Sequence, residues 1–438
     1  MIDRILAAAG HADVLWRREE RTTIAFESGR LKTTGIIEET GVNLRVATGG
    51  RVGVAGTTAA APDVTALVDR ARASAELGEQ LDLTFPSKSK FPNVPTFFDG
   101  AANASLDRLI AIGKGLVERL AREGCQVNVA IEREVGETAV GNSAGARGGY
   151  PSTGVAVTAD VVRIASDDVL MIYDQYVGGD LPTDADLDAL VRSIEMRLVP
   201  ALTIVTPPDG ALPVVFTPAG LAAIVLPLEQ ALSGKTVLQG SSPLAAKVGE
   251  QVFDTRLSIS DDPLAPQGPA SRPFDDECVA STATRLVEGG IVRAFVYDLE
   301  TATRAKTRTT GNGHRGIFGK PGIRYTNLIV GNAPPPRPAP PAPGLGGGLI
   351  ADIQDGLVVD DLIGVGQGNV TGGGFSHPVG LAYRVQGGEI TGRVKDAAVA
   401  GNVYELLKHI GGFGSDGRWL GSRWSSSLRL EGVSVARR

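Results

Sequence analysis

The chain has 438 residues, 42% hydrophobic and 21% charged, with 57 glycines and only 5% aromatics. That length favours two domains, and the apolar-to-charged balance is that of a globular rather than a disordered protein. A net charge of −6 argues against a protein that tracks nucleic-acid phosphates, no apolar run reaches membrane-spanning length, and two distant cysteines, Cys125 and Cys278, leave no disulfide framework. The first residues carry an acid at Asp3 and too short an apolar run for a secretory signal, so a cytoplasmic location is expected.

Residues 2–9 read as a short apolar helix. Runs at 14–24, 26–28, 31–37 and 42–47 alternate apolar and polar side chains, with Ser28-Gly29 and Gly49-Gly50 as hairpin turns, which is the pattern of a strand meander. Helices are predicted over 63–77 and over 105–122, the second amphipathic with Ser105 as its cap. Strands follow at 126–131, 137–141, 154–164 and 169–176. A helix over 184–198 then starts at Thr183 or Asp184 and closes before Pro200. This predicts an α+β first domain over residues 1–205, with a β-rich second domain over 206–438.

Thr217-Pro218 opens a helix, with threonine as cap and proline at the first helical position. After Gly234 short strands and turns dominate, up to a last short helix at 402–409. The Pro/Gly-rich stretch 334–348 cannot hold a ladder of backbone hydrogen bonds and reads as an exposed loop within the second domain.

Between residues 217 and 327 the chain runs T-P-A-G-L-A-A-I-V-L-P-L-E-Q-A-L-S-G-K, then V-G-E-Q-V-F-D, P-F-D-D-E-C, T-T-G-N-G-H and I-R-Y-T-N. With F-E-S-G-R-L-K, G-V-N-L-R-V and G-R-V-G-V-A near the start, this succession resembles the TldD/PmbA (TldE) family of peptidase subunits. The resemblance covers nearly the whole chain. It implies a two-domain α+β protein whose second domain is a curved, mostly antiparallel sheet or barrel.

Metal-bearing members of that family carry His-Glu-x-x-x-His on the helix before V-G-E-Q, and a late cysteine as third ligand. Anchored on Val248-Gly249-Glu250-Gln251, the two histidine positions fall on Val225 and Gln230 and the glutamate on Leu226. Valine has no lone pair, and an amide is a poor zinc ligand beside imidazole. The nearest histidines are His11 and His314, and no cysteine follows Cys278. The resemblance therefore implies the PmbA/TldE type of subunit, with no catalytic residue and no metal in this chain. Zinc and the water-activating glutamate would come from a TldD-like partner acting on unfolded or small peptides, and the assembly would be a heterodimer or a homodimer.

Other motifs weigh less. Gly141-Asn142-Ser143-Ala144-Gly145 matches the nucleophile elbow G-x-S-x-G, yet A-R-G-G-Y-P cannot start the required helix, so a turn between strands is expected. Ser233-Gly234-Lys235-Thr236 ends like a P-loop but has Glu229 where the first glycine belongs. The resemblance makes Asn142, Ser143, Asp275, Asp276, Glu277, Thr310, Asn312, Thr326 and Asn327 candidates for lining a substrate groove, with Cys278 standing where relatives carry glycine. Two other readings stay open: an autonomous hydrolase using Ser143 with His314 or His377, and a non-enzymatic binding protein such as a modulator of DNA gyrase.

Overall fold

The structure, a computed structural model, describes residues 1–166, 168–331 and 345–437. Its first half is one long antiparallel sheet of strands β1 (Ala12–Glu27), β2 (Arg30–Thr48), β3 (Arg51–Thr57), β4 (Cys125–Asn142), β5 (Arg147–Ala165) and β6 (Asp168–Gly178), ordered β3-β2-β1-β4-β5-β6. The separate short runs expected from the sequence are continuous strands: β1 and β2 pair from Ala12↔Val46 to Glu27↔Arg30, and β4 passes unbroken through 132–136. Both predicted hairpin turns are present. Ser28, Gly29, Gly49 and Gly50 all have positive φ, as a tight connection between strands requires.

Helices α1 (Ile2–Ala9), α2 (Val64–Glu76), α3 (Asp99–Ala102), α4 (Leu106–Leu120) and α5 (Asp184–Ala201) flank this sheet. The side chains of Asp63, Ser105 and Thr183 cap α2, α4 and α5, the last through a capping box with Asp186. α1 and α2 bury Ile5, Leu6, Leu67 and Val68 against Val42, Leu44 and Val46. Gly53 permits that approach, because a Cβ there would stand 2.0 Å from the carbonyl oxygen of Ala71. α5 continues through Pro200 instead of closing before it. A proline in the last turn removes one amide where the ladder is already ending, and tight turns from Leu202 to Val199 and Thr203 to Pro200 finish the helix.

In the second half, strand 355–362 pairs with β8 (Gly210–Phe216), β8 with 428–437, that strand with 397–402, and 397–402 with 374–386, which returns to 355–362 and closes a barrel. Strand 374–386 also carries 389–394, to which β7 (Ile204–Val205) is added in parallel. A second sheet runs through strands 291–292, 284–288, 259–261, 328–330, 423–425 and 418–420. α6 (Ala222–Ala231) packs Ile224, Val225 and Leu228 into the barrel core with Phe216, Val359 and Leu430. The prolines at 334–343 lie outside the described residues.

Candidate functional site

Thr217 follows β8 and opens a turn rather than the helix expected from Thr217-Pro218. α6 begins only at Ala222, with Leu221 at its cap position and no side-chain cap, because the Thr217 hydroxyl is engaged by the turn and by Asp360. That hydroxyl accepts from the Gly220 amide at 3.3 Å and donates to Asp360 Oδ1 at 2.7 Å. The three positions aligned with the missing metal motif are engaged elsewhere. Val225 is buried in the barrel core, and Leu226 is half-buried beside Gly366. The Gln230 amide oxygen accepts from the Thr371 hydroxyl at 2.8 Å. Burial raises the pKa of Glu229, opposed by Arg423, and burial lowers that of Arg423, opposed by Glu229. In the late loop, Asp416 accepts from the amide and the hydroxyl of Ser427 at 2.8 and 2.6 Å. Among the described residues no group of three or more His, Cys, Asp and Glu side chains is placed to hold a metal ion. The donor set on α6 does not suit zinc, since the aligned positions hold aliphatic side chains and one hydrogen-bonded amide, and Glu229 is a single carboxylate without imidazole partners.

Thr217 belongs to a buried charge cluster that joins the two halves of the chain. Arg197, on the inner face of α5, binds Asp360 Oδ2 at 2.9 Å and Asp174 Oδ2 at 3.0 Å, and Arg418 reaches the same Asp174 oxygen at 2.7 Å. The Tyr383 hydroxyl donates to the Arg197 carbonyl at 2.7 Å. Burial alone would raise the Asp174 carboxyl, but Arg418 and Arg197 hold it below its ordinary value.

Over this cluster lies a cavity of about 610 Å³. One wall is β6 with the start of α5. The other consists of residues 267–271 and the hairpin carrying Trp419 and Trp424, whose rings meet edge-on at 5.5 Å. Tyr176, Phe98 and Gln175 face it from the first half. The buried indole N–H of Trp419 and Nε–H of Arg418 have no hydrogen-bond partner among the described residues. β6 pairs only with β5 among the described strands, so its far edge lies along the cavity. Aromatic walls and an open strand edge are features that suit an extended polypeptide.

The nine candidate residues fall into separate places. Asn327 supports the cavity: its Nδ2 donates to the Ser271 hydroxyl at 2.9 Å and its Oδ1 accepts from the Ala270 amide at 2.9 Å, fixing the segment that forms one wall. Thr310, Asn312 and Thr326 form one chain of hydrogen bonds through Asp261, with Thr310 to Asn312 at 2.6 Å, Asn312 to Asp261 at 2.6 Å and Thr326 to Asp261 at 2.9 Å. Asn142 folds back on its own turn, accepting from the amides of Ala144 and Ala146. Ser143 is exposed, and its oxygen accepts from the Ala12 amide at 3.1 Å. Its loop joins β4 directly to β5, with no helix behind it. His314 lies 3.1 Å from Asp276 and 3.1 Å from Arg324, and His377 stacks on Phe375 in the barrel. Among the described contacts neither histidine meets Ser143.

Asp275, Asp276 and Glu277 are fully buried and form the second charge cluster. Arg45 clasps Asp13 with two bonds of 3.0 and 2.6 Å and Glu277 with one of 2.7 Å. Arg315 binds Asp13 at 3.1 Å and the Asp276 carbonyl at 2.9 and 2.6 Å, while Arg17 binds the Asp276 carboxylate at 3.1 Å. Asp275 accepts from the amides of Glu277, Val279 and Gly313, each at 2.9 Å. Burial pushes the carboxyls of Asp275 and Glu277 upward, with Arg272 and Arg45 opposing. Burial would also raise Asp276, but His314 and Arg17 hold it well below the carboxylate range. The turn ends at Cys278, whose φ of 66° is the left-handed conformation that a glycine adopts without strain.

Sequence reasoning did not find Asp13, Arg45, Asp174, Arg197, Arg315, Asp360 or Arg418. A signal existed for Arg197, which falls seven residues after Leu190 and three after Ile194 on the buried face of its helix; Arg45 gave none, because it alternates with Leu44 and Val46 as an outward-facing strand residue does. A charge at a position that periodicity assigns to the interior needs a partner, but the partners lie far away in sequence.

Fold and site define a two-domain α+β protein with a closed barrel whose metal-motif helix lacks metal ligands. The sequence pattern of the PmbA/TldA metallopeptidase C-terminal domain matches residues 209–437, more than half of the chain, and that of domain 1 matches residues 12–75. The chain belongs to the PmbA/TldA (TldD/PmbA) metallopeptidase family. It is 31% identical to a metalloprotease of Methanothermobacter thermautotrophicus over 234 residues, which are 53% of this chain and 49% of that one. The chain thus spans about half the length of that relative. Two solved structures share the fold with a TM-score of 0.87 at 23% identity: TldE from Thermococcus kodakarensis, covering 99% of this chain and 98% of that one, and a protein of Thermotoga maritima described as a proposed modulator of a DNA gyrase, covering 99% of each.

Proposed function

We propose that this chain is the metal-free subunit of a TldD/TldE-type peptidase. It shapes part of the peptide groove, and a TldD-like partner supplies zinc and the water-activating carboxylate. The observation that carries this reading is α6, where Val225 and Leu226 are packed and Gln230 is hydrogen-bonded at the aligned ligand positions. The cavity beside β6 supports a peptide-binding contribution, with the β6 edge taking backbone hydrogen bonds and Trp419 and Tyr176 taking side chains. The residues around it hold and orient a bound peptide. No helix among the described residues is long and apolar enough to cross a membrane. A cytoplasmic site of action is part of the same proposal.

The test compares the purified chain, a TldD-like partner and their mixture for bound zinc and for hydrolysis of unstructured peptides. The expected outcome is no stoichiometric zinc and no turnover with the chain alone, and turnover in the mixture above that of the partner alone. Stoichiometric zinc or peptide turnover by this chain alone would overturn the reading.

A further inference from the structure

We infer that the cavity beside β6 is a specificity pocket that takes an aromatic side chain of a bound polypeptide. The inference rests on the reading of this cavity as part of a peptide groove, and adds which residue the groove selects. Its volume of about 610 Å³ lies within the ~300–1,000 Å³ of sites that enclose a small organic group. α5 makes the room. On the cavity side it presents Ala185 and Ala189, one turn apart, where larger side chains would reach across to β6. Beyond these methyl groups Arg418 closes the hollow, donating to the Ser193 hydroxyl at 3.3 Å.

The walls are aromatic and held in place. The Phe98 ring packs on Gly179 and the Tyr176 hydroxyl on Gly178, and a Cβ at either glycine would collide with them. The Phe98 amide donates to the Thr153 hydroxyl at 3.0 Å, which donates in turn to the Gly179 carbonyl at 2.7 Å. The Tyr176 hydroxyl donates to the Asp180 carbonyl at 2.9 Å. Opposite them Trp419 meets Trp424 edge-on, and Trp424 packs against Ala265 and Ile329. A ring that enters meets aromatic faces and edges that are already ordered, so little freedom is lost on binding.

Charge does not direct this pocket. Arg418 and Asp174 are paired at 2.7 Å, and Asp174 is also held by Arg197, so a charged guest would have to break a buried pair. Asp180 and Asp186 stand near the Tyr176 hydroxyl, but each has an oxygen engaged. Asp180 accepts from the Leu181 amide at 2.8 Å, and Asp186 from the Thr183 amide and hydroxyl at 2.8 and 2.6 Å. Asp186 is offset further by the positive end of α5. Backbone pairing alone does not suffice either, because the Gln175 amide on β6 is taken by the Asp174 carboxylate at 2.7 Å. A strand added there would find a gap in the ladder. Every second side chain of such a strand points to the face of Tyr176, towards α5, and that side chain carries the selectivity.

The test titrates the full chain calorimetrically with short serine/glycine peptides that differ only in a central phenylalanine, leucine, alanine or lysine. The phenylalanine peptide is expected to bind about a hundredfold more tightly than the alanine peptide and about tenfold more tightly than the leucine peptide. Lysine should bind no better than alanine. Ala189→Phe, which fills the hollow, should weaken the phenylalanine peptide at least about tenfold and level the series. Ala185→Leu, at the exposed mouth, should act in the same direction, and circular dichroism confirms that each variant folds. No binding of any peptide, equal affinities, tightest binding of lysine, or a preference that survives in both folded variants would overturn the inference. Turnover in the mixture with a TldD-like partner separates the two readings. Equal kcat/KM for the alanine and phenylalanine peptides would keep the subunit reading and sink the pocket. Selective phenylalanine binding without any turnover would keep the pocket and sink the subunit reading.

Discussion

The two buried charge clusters use the same chemistry to different ends. Around Arg45 and Arg315 the central groups are sealed: Asp13, Arg45, Glu277 and Arg315 are each at most 2% exposed and find partners within the cluster, while Arg17 and His314 at its rim reach solvent. Around Arg197 the cluster is sealed on the barrel side but opens towards the cavity, through Arg418 and the wall that includes Asp174. One arrangement locks strands β1 and β2 to the acidic turn of the second half. The other places a cation and an unpartnered N–H beside a space that can take a ligand. A buried ion network therefore marks a site only where one of its members keeps a face towards open volume.

Arg45→Met breaks this contrast most severely. It leaves Asp13 with only Arg315 and deprives Glu277 of its cation, so unfolding in urea should show a loss of about 3–5 kcal/mol. Arg418→Met should cost less, about 1–2 kcal/mol by the same measurement, because Asp174 keeps Arg197. Under the peptidase proposal, that milder variant should nevertheless raise KM for peptide in the mixture with a TldD-like partner, whereas a purely structural Arg418 would leave KM unchanged. Cys278→Gly should have the smallest effect. Relief of a left-handed residue, about 1–2 kcal/mol, offsets the lost burial of one small side chain, about 1 kcal/mol, so thermal unfolding should move by only a few degrees.

What the sequence disclosed follows the range of the forces involved. Hairpins at Ser28-Gly29 and Gly49-Gly50 and the caps at Ser105 and Thr183 depend on neighbours a few residues away, and they stand where composition places them. The long strands looked broken because residues such as 38–41 and 132–136 carry charges or glycine where half-buried strands alternate. They persist because the ladder on either side continues, and because Arg21 and Arg133 bind Glu134 and Glu20 across it. The acidic run 275–277 looked like an exposed groove element, since three adjacent acids are ordinarily solvated. It is interior because Arg45 and Arg17 come from a strand pair more than two hundred residues earlier. No local pattern encodes that meeting, nor the closure of strand 374–386 onto 355–362.

α5 contributes to a core that both halves share: Leu190, Ile194 and Leu198 pack in one cluster with Val157 and Ile172 of the long sheet and with Val358 and Tyr383 of the barrel. Severing the chain after this helix would expose that common surface on either fragment. Heat should therefore melt the protein as a single cooperative unit, with one calorimetric peak in place of two.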